Sequence, residues 1–559
     1  MIILKNKSIK DAIHGYINVE EPFWKIIDTA EFQRLKWVEQ TSYRVLYPSA
    51  RHDRFIHSIG VYHLGQKSIA GFLNNSTEQD ASIINQHKNS FLLACILHDI
   101  GHAPFSHTCE DLYNYQQKIS DFNSLLNTEL MSEMKSILVP EVYSTFVNDY
   151  KYILSPKGKS PSEHEVMSAI VSCRKFNEFK SFFPEQEQNS IDIDLIVRAI
   201  TGCCYSLKRN DAPDINREKG IKNCLIRLLN SSTVDVDKLD YIARDTQMSG
   251  YDNIVLDTER LLNSVCVVCD DNIYYPSFKK SALSVINNVV IAKNSQAKWI
   301  VNHPIVIYDS YILRRAIGET LKEMSIDVSG KKVVGDDLIK FIFSSQSLSK
   351  AGNPYDNTSF TLLSDIEILS LMKQNISISS VNEYFARNER KSPIWKSHEE
   401  FLFCLDSQHE KASKVASFVA PLINYLNDVE DLNHTKQIND DLYNEIKSSD
   451  ELEGKEVLVE ILDVLKNYKN PDDTIPDFNF VILPAKNRFF TKIDSKSLYI
   501  RFNNDSKGYT TYDTFENPQT EDATKKYEFF YIYSKDKIDA KHFLQRLYDQ
   551  AHACDDIRM

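Results

Sequence analysis

Apolar residues recur at spacings of three and four positions from Ile9 to about Glu323, for example in the run from Phe91 to Ile96. Side chains at these spacings share one face of an α-helix, so the pattern predicts mostly helices with one buried face. Ser, Gly, Asn and Pro collect between Ser344 and Ser359, which favours a loop. A further helix is predicted from Leu362 to about Phe385.

The hydrophobic pattern changes towards the C-terminus. The stretch from Asn424 to Tyr468 predicts a solvated acidic helix, and Asn470 to Pro476 predicts a linker. A closing amphipathic helix is predicted from Ala540 to Ala553. Short runs of β-branched and aromatic residues, which are typical of strands, lie at Phe478–Pro484, Leu498–Phe502 and Tyr527–Tyr533.

These elements predict a mainly α chain that ends in a smaller α+β C-terminal module. The 559 residues exceed what one hydrophobic core normally organises. Only 15 glycines and 17 prolines are present, which favours long helices over turn-rich β architecture. We expect a core at 1–343, a loop and helical extension at 344–400, an acidic helical segment at 401–476 and the small module at 477–559.

The charge balance argues against general binding to nucleic acid. The chain has 65 Lys and Arg against 78 Asp and Glu, a formal net charge of −13, whereas neutralising many phosphates requires a basic surface. The apolar run Met1–Leu4 is too short for a signal peptide, and we find no apolar segment of membrane-spanning length. The sequence therefore predicts a cytoplasmic protein without a membrane partner. The isolated pair Cys266 and Cys269 is interpreted as part of the core.

Candidate chemistry is concentrated in the histidines, since nine of the 15 lie at or before position 164. The densest run places His98, Asp99, His102 and His107 after an apolar helix. A buried Asp beside a buried His is costly unless a cation or hydrogen bonds satisfy both, and a divalent metal would do so. We expect His102 near the same helix face as His98, with Gly101 and Pro104 ending the helix and turning His107 back towards the pocket. The alternative is an ordinary capping turn with satisfied core histidines.

Two further runs supply matching side chains. His57 lies 41 residues before His98, a distance suited to a separate helix. Asp237, Tyr241 and Asp245 are spaced by four residues, so one helix can present a metal ligand and two substrate contacts on one face. The alternative for this second run is a solvated acidic helix face.

The ordered set of His57, His98-Asp99 and Asp237 resembles the H…HD…D signature of HD-domain metal-dependent phosphohydrolases. The match is closer to the deoxynucleoside triphosphate triphosphohydrolases, which include bacterial dGTPases and the mammalian enzyme with a sterile alpha motif before its HD domain. Similarity extends from about Ile9 to Trp395 and implies an HD-domain helical bundle. The closer match rests on the motifs Phe32–Leu35, Arg54–Val61, His98–His107 and Asp235–Asp245.

This resemblance implies a role for each matching residue. The implied metal ligands are His57, His98, Asp99 and Asp237. Two imidazoles and two carboxylates suit Mn, Fe or Zn, with Mg as a substrate-bound ion. The implied catalytic residues are His102, Glu110, His164 and Glu165, and the implied substrate contacts are Gln40, Arg54, His107, Lys238, Tyr241 and Asp245. The family's products are a deoxynucleoside and inorganic triphosphate.

The resemblance also implies regulation and assembly. It predicts a homo-oligomer (dimer, tetramer or hexamer) with a nucleotide effector between subunits, and the alternative is that the effector positions are ordinary surface charges. Asp309 is a departure from the family, because the mammalian enzyme has an arginine for the triphosphate near this position. The matching effector positions are Lys7, Asp28, Gln33, Lys36 and Arg260.

Three functions are therefore compatible with the sequence. The leading one is a dGTPase-like dNTP triphosphohydrolase used in dNTP-pool control or phage defence. A second is an HD phosphohydrolase that acts on nucleoside monophosphates or cyclic dinucleotides. The third is a nucleotide-sensing scaffold, against which the intact set of metal and catalytic side chains argues.

Overall fold

The computed structural model describes residues 6–41, 43–208, 211–250, 256–270, 273–328, 331–344, 362–428, 437–449, 452, 454–485, 495–502, 508–515 and 528–558. Helices make up most of this part, with small sheets between them, so the predicted mainly α fold is confirmed. The N-terminal apolar run and the loop predicted at 344–359, apart from Ser344, lie outside the described residues.

The helices are α1 (Glu21–Ile27), α2 (Ala30–Gln33), α3 (Arg54–Asn74), α4 (Glu78–Leu97), α5 (Leu125–Ile137), α6 (Pro140–Leu154), α7 (Glu163–Arg174), α8 (Phe176–Ser181), α9 (Glu185–Gln188), α10 (Ile193–Thr201), α11 (Pro213–Leu229), α12 (Val236–Met248), α13 (Thr258–Leu262), α14 (Leu283–Gln296), α15 (Pro304–Glu323), α16 (Gly335–Ile342), α17 (Asp365–Gln374), α18 (Ser379–Phe385), α19 (His398–Cys404), α20 (His409–Asp428), α21 (Asp440–Ser448), α22 (Lys455–Lys466) and α23 (Ala540–Arg558). The strands are β1 (Lys7–Asp11), β2 (Gly15–Val19), β3 (Val265–Asp270), β4 (Ile273–Lys279), β5 (Ser325–Val328), β6 (Lys331–Val334), β7 (Ser392–Pro393), β8 (Gln437–Ile438), β9 (Phe480–Pro484), β10 (Tyr499–Arg501), β11 (Tyr509–Thr511) and β12 (Phe530–Ser534). Among the described residues, no helix is both long and apolar enough to cross a membrane.

The chain forms two compact units. One comprises residues 1–296, 324–369 and 491–516, and the other comprises residues 297–323, 370–490 and 517–559. In the first unit, α3 and α4 pack against each other, α12 packs on α3, and α10 and α11 pack on α4. Fully buried side chains such as Ile59, Leu64 and Leu225 fill this bundle. The burial of each stabilises the fold by about 1.5–3 kcal/mol relative to exposure.

The second unit has its own core around a four-stranded sheet of order β7-β12-β9-β8. Trp395 is fully buried there, and its Nε1 donates to the carbonyl oxygen of Phe530 at 3.1 Å. Phe543 of α23 and Ile461 of α22 belong to the same apolar cluster. The unit therefore has an apolar cluster of its own.

Several elements differ from the predicted pattern. Two hairpins, β1-β2 and β3-β4, interrupt the stretch predicted as mostly helical, and Cys266 is buried in β3. The acidic stretch predicted as solvated helix is divided into the end of α20, then α21 and α22. Side chains such as Tyr443, Ile446 and Leu462 are buried in it because apolar residues recur there at helical spacing.

The predicted C-terminal strands are present, but they do not share one sheet. β9 pairs antiparallel with β12, whereas β10 pairs in parallel with β4 of the first unit's sheet, which has the order β11-β10-β4-β3. Pairing partners depend on long-range packing that a local run of apolar residues does not encode. The small α+β module predicted at 477–559 therefore remains a prediction.

The approach of α3 to α12 depends on a residue without a side chain. A Cβ added at Gly60 would lie 2.0 Å from Oδ1 of Asp240 and 2.6 Å from Nη2 of Arg244. We predict that Gly60→Ala lowers the free energy of unfolding by about 1–3 kcal/mol, because the added methyl group overpacks this contact. Thermal or chemical unfolding would measure the change.

The control is Asn74→Ala, at an exposed position of the same helix. That substitution should change the free energy of unfolding by no more than about 0.5 kcal/mol. Equal stability of the two variants would contradict the proposed close approach.

Candidate active site

Three elements of the first unit position the predicted metal ligands. His57 lies in the first turn of α3, where the side chain of Asp53 caps the helix by accepting from the backbone N–H of Ile56. Asp237 lies at the start of α12, which Asp235 caps in the same way. A side-chain cap fixes the first turn of a helix, and both ligands lie in such a turn.

His98 and Asp99 come from the chain that follows α4. The helix ends at Leu97, so the expectation that His98 and His102 lie on one helix face is wrong. The chain turns there instead, and Gly101 lies so close to α7 that an added Cβ would be 2.4 Å from the backbone nitrogen of Ser168. This close packing carries His102 and His107 to the same region as the other histidines.

The four predicted ligands converge, and we call them the ligand cluster. Nε2 of His57 lies 3.1 Å from Oδ1 of Asp237, 3.5 Å from Oδ2 of Asp99 and 3.3 Å from Nε2 of His98. The same Oδ1 of Asp237 is 3.6 Å from Nε2 of His98. Donor atoms of His57, His98 and Asp99 all lie within 4.8 Å of one another, as atoms around a single ion must.

The orientation of the imidazoles fits a divalent metal. Nδ1 of His57 donates to Oδ2 of Asp240 at 2.7 Å, and Nδ1 of His98 donates to the carbonyl oxygen of Cys95 at 2.9 Å. Each ring therefore directs its Nε2 into the cluster. A ligating histidine in metalloproteins characteristically donates its other N–H in this way, so the donor set could hold a metal ion.

The electrostatics of the cluster also favour a cation. Burial by itself lowers the pKa of His57, but the carboxylates of Asp237 and Asp240 raise it more, to about 9. Burial likewise raises the pKa of Asp237, yet hydrogen bonds with His57 and His98 hold it well below its usual range. The buried carboxylates thus stabilise positive charge between the two imidazoles.

Asp240, which lies in α12, connects the ligand cluster to the β1-β2 hairpin. Besides His57, it accepts from Nε2 of His14 at 2.6 Å and from Nε and Nη2 of Arg244 at 2.8 and 2.9 Å. Nη1 of Arg244 donates to Asp11 at 2.8 Å. Asp240 has no predicted role of its own, although its spacing of four residues from Arg244 is a usable sequence signal for a helical ion pair.

A second group adjoins the first, and we call it the histidine cluster: His102, His107, Glu110 and His164. Glu110 accepts from Nδ1 of His164 at 2.6 Å and from Nδ1 of His107 at 3.1 Å. The rings of His102 and His164 stack with their centroids 4.2 Å apart. Nε2 of His102 is 3.9 Å from Oδ1 of Asp99, so the two clusters meet at that ligand.

The histidines of this second cluster differ in protonation. His102 is fully buried, and neither ring nitrogen has a hydrogen-bond partner among the residues that the structure describes. Burial and the nearby Arg54 hold its pKa well below the usual range, so the ring is neutral. Burial lowers the pKa of His164 too, but Glu110 raises it more, to about 9. One neutral and one protonated imidazole therefore lie side by side.

Not every predicted catalytic or phosphate contact points to this centre. Glu165 completes a capping box at the start of α7, where it accepts from the backbone N–H of Ser162 at 2.7 Å and from Asn230 at 2.7 Å. Nζ of Lys238 donates to the carbonyl oxygen of Ser231 at 2.7 Å and to Asp235. Their predicted roles in acid–base chemistry and phosphate binding remain predictions.

The other predicted substrate contacts surround the clusters. Arg54 donates to Oδ2 of Asp99 at 2.7 Å. Asp245 accepts from Nε2 of His52 at 2.7 Å and from Gln296 at 2.6 Å. The buried Oε1 of Gln40 lacks a hydrogen-bond partner within the described parts of the chain, so it can accept from a ligand. Tyr241 follows Asp237 by one turn of α12.

The predicted effector positions lie on the surface of the first unit as separate pairs. Nζ of Lys7 is 2.6 Å from the carboxylate of Asp28, and Nζ of Lys36 donates to Gln33 at 2.7 Å. Arg260 is exposed on α13. Their role in nucleotide binding stays a prediction.

In the second unit, Asp309 is buried and accepts from Arg390. Nearby in sequence, Nζ of Lys298 pairs with the carboxylate of Glu399 at 2.6 Å. The carboxylate of Asp309 thus has a cationic partner of its own.

Comparison with known proteins confirms the resemblance to HD-domain deoxynucleotide triphosphohydrolases. The mouse deoxynucleoside triphosphate triphosphohydrolase SAMHD1 is 34% identical over 209 residues, which are 34% of this chain and 30% of that protein. A putative HD domain-containing protein of Acanthamoeba polyphaga mimivirus is 27% identical over 287 residues, 47% of this chain and 48% of the viral protein. No family model matches the chain.

The alignments cover only part of the matched relatives, and a solved structure provides a comparison for the fold. The chain spans about half the length of the curated relatives it matches. A crystal structure of a hypothetical protein from Aquifex aeolicus has a TM-score of 0.50 at 17% sequence identity and covers 98% of this chain and 99% of that one. That likeness shows a shared fold.

The Asp240 contact generates a prediction about metal affinity. Asp240→Asn replaces the carboxylate that orients His57, so we expect the affinity for Mn²⁺ to fall by about 10–100-fold. Metal titration of the purified variant, with its thermal unfolding recorded beside it, would measure the loss. Asp11→Asn is the matched control, because Asp11 contacts Arg244 and not His57. Unchanged affinity in Asp240→Asn would exclude the orienting role.

Proposed function

We propose that this chain is a metal-dependent HD-domain phosphohydrolase that converts a dNTP into a deoxynucleoside and inorganic triphosphate. The observation that carries the proposal is the contact between the ligand cluster and the histidine cluster at Asp99. A cation site directly beside one neutral and one protonated imidazole is suited to hydrolysis of a phosphate ester, because the metal can activate water while the imidazoles accept and donate protons. Relatives named as dNTP triphosphohydrolases support the substrate class.

The ligands in this proposal are His57, His98, Asp99 and Asp237. When bound, a divalent ion supplies Lewis-acid activation of water and of a phosphoryl oxygen. The protein contributes the rest of the geometry, because Asp240 and the carbonyl oxygen of Cys95 fix the rings of the two ligating histidines. Preorganised ligands need little rearrangement during the reaction, which lowers its free-energy barrier.

His164 is assigned as the general acid. Its pKa of about 9 keeps the imidazole protonated at neutral pH, with Glu110 as the carboxylate that stabilises this form. In the proposed reaction a water oxygen forms a bond to the α-phosphorus, the bond from that phosphorus to the 5′ oxygen breaks, and His164 protonates the 5′ oxygen. His102 is neutral, and its ring nitrogens lack hydrogen-bond partners among the described residues, so it is suited to accept a proton from the attacking water.

Substrate contacts follow from position and charge. The side chain of His107 is 53% exposed, the most accessible of the histidine cluster, so it is placed to meet an incoming polyphosphate. Arg54 adds a buried cation beside Asp99, and Lys238 is a further proposed phosphate contact. Gln40, Tyr241 and Asp245 are proposed to contact the sugar, where close packing at C2′ excludes a ribose hydroxyl.

Regulation, assembly and biological role belong to the same proposal and rest on the resemblance. They comprise activation by a nucleotide at the Lys7 and Lys36 surface pairs, a homo-oligomeric state and action in the cytoplasm on the dNTP pool or against phage. A dGTPase-like base preference is proposed on the same ground.

The proposed reaction can be tested by the products that it releases. With Mn²⁺ or Mg²⁺, each dNTP that is a substrate should yield its deoxynucleoside and inorganic triphosphate. Asp99→Ala should lose at least about 100-fold in kcat, because removal of a ligand should cost no less than removal of an outer partner of a ligand. Chromatographic product analysis with the four dNTPs and GTP, singly and mixed, would identify the base preference and any activator. Release of monophosphate or diphosphate would refute the triphosphohydrolase assignment, and turnover of monophosphates or cyclic dinucleotides would favour the alternative phosphohydrolase.

The acid role predicts a pH dependence. Since His164 must be protonated, kcat should fall as the pH rises through about 9. Glu110, Glu165 and Asp99 are the carboxylates that raise this pKa against the effect of burial, and the rings of His102 and His107 also face the group. Glu110→Gln removes the largest stabilising charge, so the alkaline limb of its residual activity should move to lower pH.

The measurement is kcat against pH for both proteins at saturating substrate. An alkaline limb at the same pH in both would contradict the assignment of the Glu110–His164 pair.

A further inference from the structure

The turn between His102 and His107, two members of the histidine cluster, has an unusual backbone. Phe105 and Ser106 both adopt left-handed conformations, with φ of 57° and 51°. Residues other than glycine rarely adopt this region, and they do so when surrounding contacts hold them there. The turn lies between His102 and His107, so whatever holds it also sets where these two rings point.

The holding contacts come from a segment far away in sequence. Oδ1 of Asp365 accepts from the backbone N–H of Phe105 at 2.6 Å, and Oδ2 accepts from the backbone N–H of Glu39 at 2.9 Å. Asp365 is only 4% exposed. Its carboxylate therefore uses both oxygens to join two separate stretches of backbone.

These two stretches are also joined to the ligand cluster. The hydroxyl of Ser106 donates to the carbonyl oxygen of Glu39 and accepts from Nε of Arg54 at 2.9 Å. Nη1 of the same arginine donates to Asp99. A continuous series of hydrogen bonds thus runs from Asp365 to a predicted metal ligand.

Arg34 holds the other end of the turn. Its Nη2 donates to the carbonyl oxygens of Ile100 at 3.0 Å and His102 at 2.8 Å, and its Nη1 donates to that of Leu363 at 2.7 Å. The guanidinium is buried, and a buried arginine needs such acceptors. Arg34 belongs to a motif of the resemblance that the proposed reaction leaves without a role.

Asp365 is not needed to cap its own helix. Glu367, also in the first turn of α17, accepts from the backbone N–H and the hydroxyl of Ser364. Both side-chain oxygens of Asp365 are directed away from that helix start, to Phe105 and Glu39. The two carboxylates of this turn therefore have separable tasks.

We propose that Asp365, together with Arg34, is a positioning residue that holds the left-handed turn at Phe105 and Ser106 and thereby aims His102 and His107 at the substrate. This inference rests on the proposed function for its kinetic readout. Displacement of a reacting group by about 1 Å can cost about 10²-fold in rate. Loss of the two hydrogen bonds should therefore lower kcat far more than it lowers stability.

The test compares Asp365→Ala and the milder Asp365→Asn with Glu367→Gln, which weakens the same helix start without touching the turn. We expect kcat to fall by about 10²-fold in Asp365→Ala and by about tenfold in Asp365→Asn, with stoichiometric Mn²⁺ binding retained. Glu367→Gln should keep kcat within about twofold of the original value at a similar loss of thermal stability.

A second readout does not depend on the reaction. His102 is fully buried, so carbethoxylation of its ring, quantified by mass spectrometry, should be slow in the unsubstituted chain and in Glu367→Gln and faster in both Asp365 variants. If the unsubstituted chain releases no triphosphate, the proposed function fails while this readout still decides the positioning role. Equal kcat and equal labelling of His102 in the Asp365 and Glu367 variants would overturn the inference.

Discussion

The rest of the site depends on the hydrogen bonds that compensate one buried carboxylate, that of Asp240. Removing a charge from water is costly unless partners compensate it, and Asp240 has three: His57, His14 and Arg244. They come from α3, from the turn of the first hairpin and from α12 itself. One compensated charge thus fixes both the separation of two core helices and the ring orientation of a metal ligand, and Gly60 leaves the space in which this occurs.

The candidate ligands could be proposed from the sequence because each lies in a local motif that resembles the family signature. Short spacing places His98 beside Asp99, and Asp237 starts a helix whose cap is visible as Asp235. The residues proposed to orient the ligands and the histidine cluster could not be identified in the same way. Asp365 contacts Phe105 across 260 positions and Asp240 contacts His57 across 183, so neither pair leaves a pattern within any local window.

The fold shows the same division between local and distant information. Helical periodicity predicted the helices, and runs of β-branched and aromatic residues predicted β9, β10 and β12. The parallel pairing of β10 with β4 joins segments more than two hundred residues apart, and a strand's own sequence does not name its neighbour. Acidic composition likewise suggested solvated helix at Tyr443 and Leu462, whereas the period of the apolar residues determined their burial.

The carboxylate of Glu110 accepts from two imidazoles at once, so the protonation of the site depends on whether an anion is bound. Because one acidic group pairs with both His107 and His164, each imidazole competes for the same negative charge. An anion that contacts His107 adds negative charge beside the pair and so stabilises the protonated ring of His164 further. Binding of a polyanion and protonation of His164 are thereby thermodynamically linked. Near pH 9, where this ring titrates, the protein should take up protons from the buffer when it binds a polyanion.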